Sequence, residues 1–224
     1  MATYKKGIET KKRIYESAKK MFYVHGYKSA TIEKIAEDAS VPIGLVNYYF
    51  KKNDILAMVY SEFTHKIKVC IDEQVTHLLE NSLQKHVIFT RIFYTIMLSN
   101  ARNRELYREI FVNELVDSDA DDLIGREFMD IIRTFNIDIS ESIFKRLMVA
   151  EHGARRELLI DRYDKLDAEK SKDFINFLAT ISIRLAGVNI KVIMQNVRKA
   201  EEILKAVDYS DISFLIEAEE RDRR

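Results

Sequence analysis

Proline, glycine and cysteine are scarce in this chain, and tryptophan is absent. Its 224 residues include one proline, six glycines and one cysteine. A β-sandwich or an α/β fold needs turn residues at about every tenth position, so their scarcity predicts an all-α protein. A lone cysteine, Cys70, excludes an intramolecular disulfide and a cysteine-based zinc cluster. It also indicates a reducing, cytoplasmic environment.

Long hydrophobic runs are missing as well. No stretch of about 18 consecutive apolar residues occurs, so we expect no helix that spans a membrane. Residues 1–6 lead into polar sequence without an apolar core, so we expect no signal peptide. Hydrophobic residues make up 47% and charged residues 32% of the chain. These fractions are typical of a globular protein that buries a core without disulfides.

The net charge is zero, but the charges are unevenly distributed along the chain. Residues 1–60 contain eleven lysine and arginine residues and six acidic residues, a net charge of +5. The remainder of the chain therefore carries −5. A basic N-terminal quarter on a neutral chain indicates a polyanionic partner for that end. A solvated basic surface gives the same pattern, so charge alone does not decide between the two.

The spacing of apolar residues predicts helices throughout the chain. Three short helices are expected at about 9–24, 31–39 and 43–50. Gly26 ends the first, and Ser40-Val41-Pro42 separates the second from the third. Asn53 or Asp54 caps a long fourth helix that runs to about residue 79. Further helices are expected at 83–99, 104–116, 121–135, 140–151, 155–165, 168–187, 189–207 and 211–221.

The second and third helices have the spacing of a helix-turn-helix. In that motif the third helix enters the major groove of DNA while the second lies across the backbone. Free amides at Thr31 and at the start of the third helix suit phosphates. Lys34, Lys51 and Lys52 supply positive charge for the same phosphates, together with lysines of the N-terminal tail.

Residues 14–56 resemble the DNA-binding domain of TetR-type transcriptional regulators. The matching residues are Ala18, Phe22, Gly26-Tyr27, Thr31, Ile35-Ala36, Ala39, Val41, Gly44, Val46, Tyr48-Tyr49-Phe50 and Leu56. The chain departs from the family pattern at Ser40, Asn47 and Asn53, where glycine, tyrosine and lysine are usual. The resemblance implies a three-helix DNA-binding domain at 1–53, joined by the long helix to an all-helical effector-binding and dimerisation domain at 54–224.

The expected DNA contacts divide into phosphate contacts and base contacts. We expect phosphate contact from Tyr49 and an exposed Tyr48 that faces the groove. Asn47 can pair bidentately with adenine, and Ile43 can touch thymine methyls. Leu45 suits a thymine methyl or packing against the first helix equally well. The full predicted set is Thr31, Lys34, Pro42, Ile43, Gly44, Leu45, Asn47, Tyr48, Tyr49, Lys51, Lys52 and Asn53.

Glycine at position 44 indicates a close backbone approach, either to the DNA or to the first helix. Four other side chains of this region are expected to belong to the core only. They are Ile35, Ala36, Val46 and Phe50.

Two segments of the remaining chain are unusually apolar. Residues 87–98 are apolar on nearly every side, which predicts a central helix. The resemblance implies a ligand pocket there, with Phe89, Phe93, Tyr94 and Met97 as wall candidates; ordinary core is the alternative. The resemblance also implies a two-fold interface within 168–207, where an intrachain pair of helices is the alternative. Its candidate residues are Phe174, Phe177, Leu178, Ile181, Leu185, Val188 and Val192.

We expect no catalytic, metal or cofactor site. The glycines form no phosphate loop and Gly-x-Ser-x-Gly does not occur. Glu73 and His77 lack a second pair that would complete a metal site. The sequence therefore predicts a dimeric DNA-binding regulator, expected to be a repressor, with an operator and an unknown small-molecule effector as partners. The alternatives are a helical enzyme or small-molecule-binding protein without DNA binding, and a helical protein-interaction module.

Overall fold

A computed structural model describes residues 2–113, 115, 119–165, 167 and 170–215, and the side chains of these except 2–4, 119–126 and 164. Within these ranges the chain forms ten α-helices and two short 3-10 turns, with no strand, which confirms the predicted all-α class. The helices are α1 (Ala2–Ser29), α2 (Ile32–Asp38), α3 (Ile43–Tyr49), α4 (Lys52–Gln74), α5 (Ser82–Leu98), α6 (Ala101–Asn113), α7 (Asp119–Thr134), α8 (Glu141–Arg162), α9 (Lys172–Leu185) and α10 (Ile190–Leu204).

The chain divides into two compact units. Unit 1 contains the described residues of 1–63, 100–116 and 211–224, and unit 2 contains those of 64–99 and 117–210. The predicted division between residues 53 and 54 stays a prediction, because the compact units follow packing and not sequence order. Helix α6 belongs to unit 1 since it packs on α1. There the Glu109 carboxylate accepts a hydrogen bond from the Tyr27 backbone amide at 2.8 Å.

Helix α1 begins earlier than the sequence pattern predicts. The predicted start is Glu9, whereas the helix is already formed at Ala2. The apolar stripe that faces the core begins only at Ile14, so the first turns carry no periodic signal. The predicted stop at Gly26 is confirmed, because its φ of 75° interrupts the helix in the left-handed region. Lys5 and Lys6 therefore lie on a helix and not in a tail.

The turn between α2 and α3 is a Schellman motif. At the other end of α2, Thr31 caps the helix, and its hydroxyl accepts a hydrogen bond from the Lys34 amide at 3.4 Å. After α2, the Val41 amide donates to the Ala36 carbonyl at 2.9 Å and the Ser40 amide donates to the Glu37 carbonyl at 3.0 Å. Ser40 occupies the left-handed position of this motif with a φ of 51°.

Replacing Ser40 by glycine is expected to stabilise unit 1 by about 0.5–1 kcal/mol. A residue with a Cβ is strained at positive φ by roughly 1–2 kcal/mol, and glycine regains most of this despite its larger entropy in the unfolded chain. Urea unfolding measures the change. Ser40→Ala, which keeps a Cβ, is the control and is expected not to stabilise; equal stability of the glycine and alanine variants would contradict the strain argument.

Helix α4 confirms the predicted long helix and crosses the boundary between the two units in sequence. It begins at Lys52, where the Asp54 carboxylate accepts a hydrogen bond from the Lys51 amide at 3.4 Å. Asp54, and not Asn53, therefore supplies the cap. The helix ends at Gln74, earlier than predicted, because the chain tightens into a 3-10 turn at Thr76–Leu78.

Unit 2 is built around α5, against which α7, α9 and α10 pack. Twelve of its seventeen residues are buried, which confirms the prediction of a central helix. Its start is capped by Asn81, whose side chain accepts from the Gln84 amide at 3.1 Å. Buried Asn196 of α10 joins this cap by accepting a hydrogen bond from the Asn81 amide group at 2.7 Å.

Two expectations about the second half of the chain need correction. The predicted break at Gly153, between the helices expected at 140–151 and 155–165, is wrong, because α8 runs without interruption from Glu141 to Arg162. A single glycine weakens a helix by only about 1 kcal/mol, which tertiary packing outweighs. The predicted tail helix is not present at 211–215, which forms turns, and 216–221 lie outside the described residues. No helix in the described part of the chain is long and apolar enough to cross a membrane.

Candidate functional site

Helix α3 presents one buried face and one open face. Val46 is fully buried and fixes the helix against α2, to which α3 packs. On the other face Tyr48 is 78% exposed and Ile43 is 46% exposed, while Asn47 is also exposed. Leu45 is half-buried, which leaves both interpretations of this residue open. Two large apolar side chains on the open face of one short helix are typical of a surface that a partner covers.

The backbone of α3 is accessible at Gly44. A Cβ placed on this glycine would have no described protein atom within 4 Å. Close packing against α1 is therefore not the reason for glycine at this position. The other explanation, an approach of DNA to the backbone, stays a prediction.

Tyr48 and Tyr49 occupy different environments. Their rings meet edge to face, with centroids 5.1 Å apart. Tyr49 is half-buried beside the first turns of α1, where a Cβ on Gly7 would lie 3.5 Å from its hydroxyl. The Lys11 ammonium lies 5.2 Å from the centre of the Tyr49 ring. Lys11, which lies within the predicted first helix, thus contributes a positive charge to the same surface as α3.

The three residues predicted at the start of α4 have different roles in the structure. The exposed Lys51 ammonium has no hydrogen-bond or ion-pair partner among the described residues. Lys52 lies 4.1 Å from the centre of the Tyr27 ring, and burial lowers its pKa, an effect that nearby Glu109 opposes. The Asn53 side chain accepts a hydrogen bond from the Tyr27 hydroxyl. Lys51 is therefore the most available of the three for a phosphate.

Lys34 also has a partner within unit 1. Its ammonium donates a hydrogen bond to the Ser29 carbonyl at 3.0 Å, near the end of α1. Three predicted core residues of this region, Ile35, Ala36 and Val46, are buried as expected, whereas Phe50 is half-buried. Unit 1 thus offers the exposed face of α3, a free Lys51 and the exposed lysines of early α1 as one candidate nucleic-acid surface.

A protein-family model for bacterial regulatory proteins of the tetR family matches residues 14–57, which include α2, α3 and the start of α4. Residues 14–57 therefore match a DNA-binding domain of the TetR type. A relative in Bacillus subtilis (strain 168), the probable HTH-type transcriptional regulator YttP, is 24% identical over 153 residues, 68% of this chain and 69% of the relative. The crystal structure of RolR in complex with resorcinol is similar in fold, with a TM-score of 0.56, 18% identity, and coverage of 89% of this chain and 95% of RolR.

These similarities indicate the functional class of the protein. The matched family and the relative are transcriptional regulators and not enzymes, and the matched segment contains the helix-turn-helix. The individual DNA contacts predicted for residues 31–53 stay predictions. The geometry ranks them, since Lys52 and Asn53 are engaged with Tyr27 whereas Ile43, Gly44, Asn47, Tyr48 and Lys51 are open.

The predicted ligand-wall residues of this regulator lie on α5. Phe93, Tyr94 and Met97 are buried, and Phe89 is half-buried. Phe89 and Phe93 stack with ring centroids 6.2 Å apart, and Phe93 meets Tyr94 edge to face at 5.2 Å. Tyr94 is also hydrogen-bonded to Arg155 of α8. Their role in binding a ligand stays a prediction.

The predicted dimer residues divide into two groups. Leu178 and Ile181 are buried in the chain, in which α9 packs on α5 and α8, and Ile181 also lines an open groove between α8 and α9. Phe177 is 40% and Leu185 is 45% exposed. Phe174, Val188 and Val192 are half-buried. The two-fold interface stays a prediction for all seven residues.

Sequence reasoning missed several residues that shape unit 1. Glu109 reaches the Tyr27 amide from α6, and Phe214 packs on Phe63 from the end of the described chain. Both contacts join residues more than eighty positions apart, so no local sequence pattern predicts them. Lys11 was visible as a basic residue of the first helix, but its place beside Tyr49 depends on the tertiary structure.

Proposed function

We propose that this TetR-family regulator is a repressor that binds a near-palindromic operator as a homodimer and is released by a small-molecule effector. The observation that carries the DNA-binding part is the open face of α3. Ile43 and Tyr48 are large and exposed there, and Gly44 leaves the helix backbone accessible. A helix of this kind fits the major groove, where apolar side chains contact thymine methyls and Asn47 has the chemistry to pair with adenine.

The variant Gly44→Ala is expected to weaken DNA recognition without lowering the stability of the protein. Alanine favours a helix by about 1 kcal/mol over glycine, and nothing described in the protein lies close enough to clash, so the variant is expected to be at least as stable as the parent. If DNA approaches the backbone at Gly44, the added methyl group is expected to weaken specific binding about tenfold or more. The measurement is a fluorescence titration with an operator selected from random DNA, together with a urea unfolding curve.

Two matched variants complete this experiment. Lys51→Ala is expected to weaken binding to all sequences alike, because a phosphate contact carries no sequence information. Asn47→Ala is expected to change the selected sequence. Binding should also weaken with salt, with a log–log slope of about −0.9 for each phosphate neutralised. A flat salt response, or no selected sequence at all, would contradict DNA recognition.

The support for a homodimer is a set of exposed apolar side chains on α8 and α9. Val149 is 75% exposed, and Ile143 and Ile160 of the same helix are exposed as well. Phe177 and Leu185 of α9 line an open groove of about 620 Å³ together with residues of α8. Apolar patches of this kind on a chain surface mark interaction sites. We infer that a second copy covers them, and sedimentation equilibrium of the purified chain tests this.

Effector response requires that a ligand bind one conformer of the dimer better than another. The aromatic residues on α5 provide a surface for such a ligand in unit 2. Because α4 is continuous from Lys52 to Gln74, a change around its later turns has a direct route along the helix toward α3. The resorcinol complex of RolR shows that a protein of this fold holds a small aromatic ligand, which supports the proposal.

A further inference from the structure

One face of α5 combines aromatic rings with a single polar ring. Phe89 and Phe93 stack there with an interplanar angle of 25°. Phe128 of α7 meets the His86 ring edge to face, with centroids 5.1 Å apart. His86 and Phe89 are half-buried, whereas Phe93 and Phe128 are buried. Such a set of ring faces and edges suits a planar aromatic ligand.

His86 brings an unused hydrogen-bonding atom to this face. Its Nδ1 atom is shielded from solvent and has no hydrogen-bond partner among the described residues. Its Nε2 atom lies 3.5 Å from the Thr90 hydroxyl, at the limit of a hydrogen bond. A buried polar atom without a partner costs about 1–3 kcal/mol, and proteins rarely leave one without a ligand, a water or a function.

Two cations, Arg155 and Lys68, act on the His86 ring, and each is paired with a carboxylate. Burial lowers the pKa of His86 to about 3, and Arg155 of α8 and Lys68 of α4 lower it further, so the ring is neutral at pH 7. Glu151 pairs with Arg155, and Glu127 of α7 pairs with Lys68. On α5 itself, neighbouring Lys85 pairs with Asp72. The Lys68 ammonium also lies 5.7 Å from the centre of the Phe89 ring, which places positive charge beside the aromatic wall.

We propose that this face of α5 binds a small aromatic carboxylate, with its ring against Phe89, Phe93 and Phe128 and its carboxylate on His86. Neutral His86 donates an N–H to the carboxylate, and Lys68 and Arg155 supply the positive potential that favours an anion over a neutral analogue. No proton changes hands in this arrangement. The inference rests on the proposed effector response, because it names the ligand class for that site.

Calorimetric titration of the full chain with benzoate and with neutral benzamide tests the inference. The two probes have nearly the same shape, and benzoate is expected to bind at least tenfold more tightly. A hydrogen bond to a charged group is worth about 1.5–3 kcal/mol and one to a neutral carbonyl about half of this, so His86→Leu is expected to weaken benzoate binding roughly tenfold or more and benzamide binding less. His86→Gln, which keeps an N–H donor, is expected to restore part of the loss.

The control variant is His77→Leu, an exposed histidine at the 3-10 turn that follows α4, and it is expected to change neither titration. Lys68→Met is expected to keep the fold, as measured by circular dichroism, and to reduce the preference for benzoate over benzamide. No benzoate binding, or equal binding of the two probes, overturns the inference. If the chain binds selected DNA but not benzoate, only the proposed ligand class is wrong. If the chain binds neither DNA nor benzoate, the proposed regulator function fails as well.

Discussion

Glu151→Gln is expected to lower the free energy of unfolding of this regulator by about 3 kcal/mol. Glu151 of α8 is only 4% exposed, and its carboxylate accepts hydrogen bonds from Nε of Arg155 at 2.8 Å and from Nη2 of the same side chain. Arg155 also donates to the Leu178 carbonyl of α9 at 2.9 Å. Removing the carboxylate charge leaves a largely buried guanidinium without its counter-charge, and breaking such a pair typically costs about 3–5 kcal/mol. Urea unfolding followed by circular dichroism measures the loss.

The design includes a double variant and a surface control. Glu151→Met combined with Arg155→Met is expected to recover most of the stability, because apolar side chains often replace a buried ion pair at little cost. Glu141→Gln breaks an exposed ion pair with Lys145 on the same helix with the same four-residue spacing, and a loss below about 0.5 kcal/mol is expected. Equal losses at Glu141 and Glu151 would show that burial does not govern the pair.

Phe214→Ala is expected to destabilise unit 1 by about 3–5 kcal/mol. The Phe214 ring is buried and meets the buried Phe63 ring of α4 edge to face, with centroids 5.2 Å apart. Its neighbours Ser213 and Leu215 are buried as well. Truncating a buried phenylalanine removes its transfer free energy and leaves a cavity. The measurement is the free energy of unfolding, with the affinity for selected DNA measured in parallel, because α1 to α3 belong to the same unit.

Asp211→Ala is the control for this variant, since Asp211 lies in the same segment and is exposed. It is expected to change the unfolding free energy by less than about 0.5 kcal/mol. A loss below about 1 kcal/mol for Phe214→Ala would mean that residues 211–215 contribute little to the packing of unit 1. A large loss of stability with unchanged DNA affinity would mean that the segment supports the fold and not the orientation of α3.

Local patterns predicted the features that depend on neighbouring residues. Thr31 was expected to begin α2 because its hydroxyl suits a helix cap, and it does so. The burial of Val46 and the exposure of Tyr48 followed from the position of each on a short amphipathic helix. The family resemblance of residues 14–56 was confirmed by the family model, since its motif is contiguous in sequence and needs no long-range information.

Features that depend on distant contacts were not predictable. Lys52 and Asn53 were predicted to contact DNA, but in the structure both contact the Tyr27 side chain, and the Tyr27 backbone amide is held by Glu109 of α6. The single helix α8 continues through Gly153, where a local rule predicted a break. Leu178 and Ile181 were predicted at a two-fold interface, and the structure shows that both are buried in a chain in which α9 packs on α5 and α8.

Helix periodicity, capping chemistry and the contiguous motif of residues 14–56 were enough to predict an all-α regulator with a helix-turn-helix, because these signals lie close together in sequence. Only the folded chain showed that Phe214 and Glu109 complete unit 1, that Lys51 remains available while Lys52 does not, and that His86 lies among aromatic rings near two cations. These relations join helices far apart in sequence, and they are decided by how apolar faces pack together and leave particular polar atoms with or without partners.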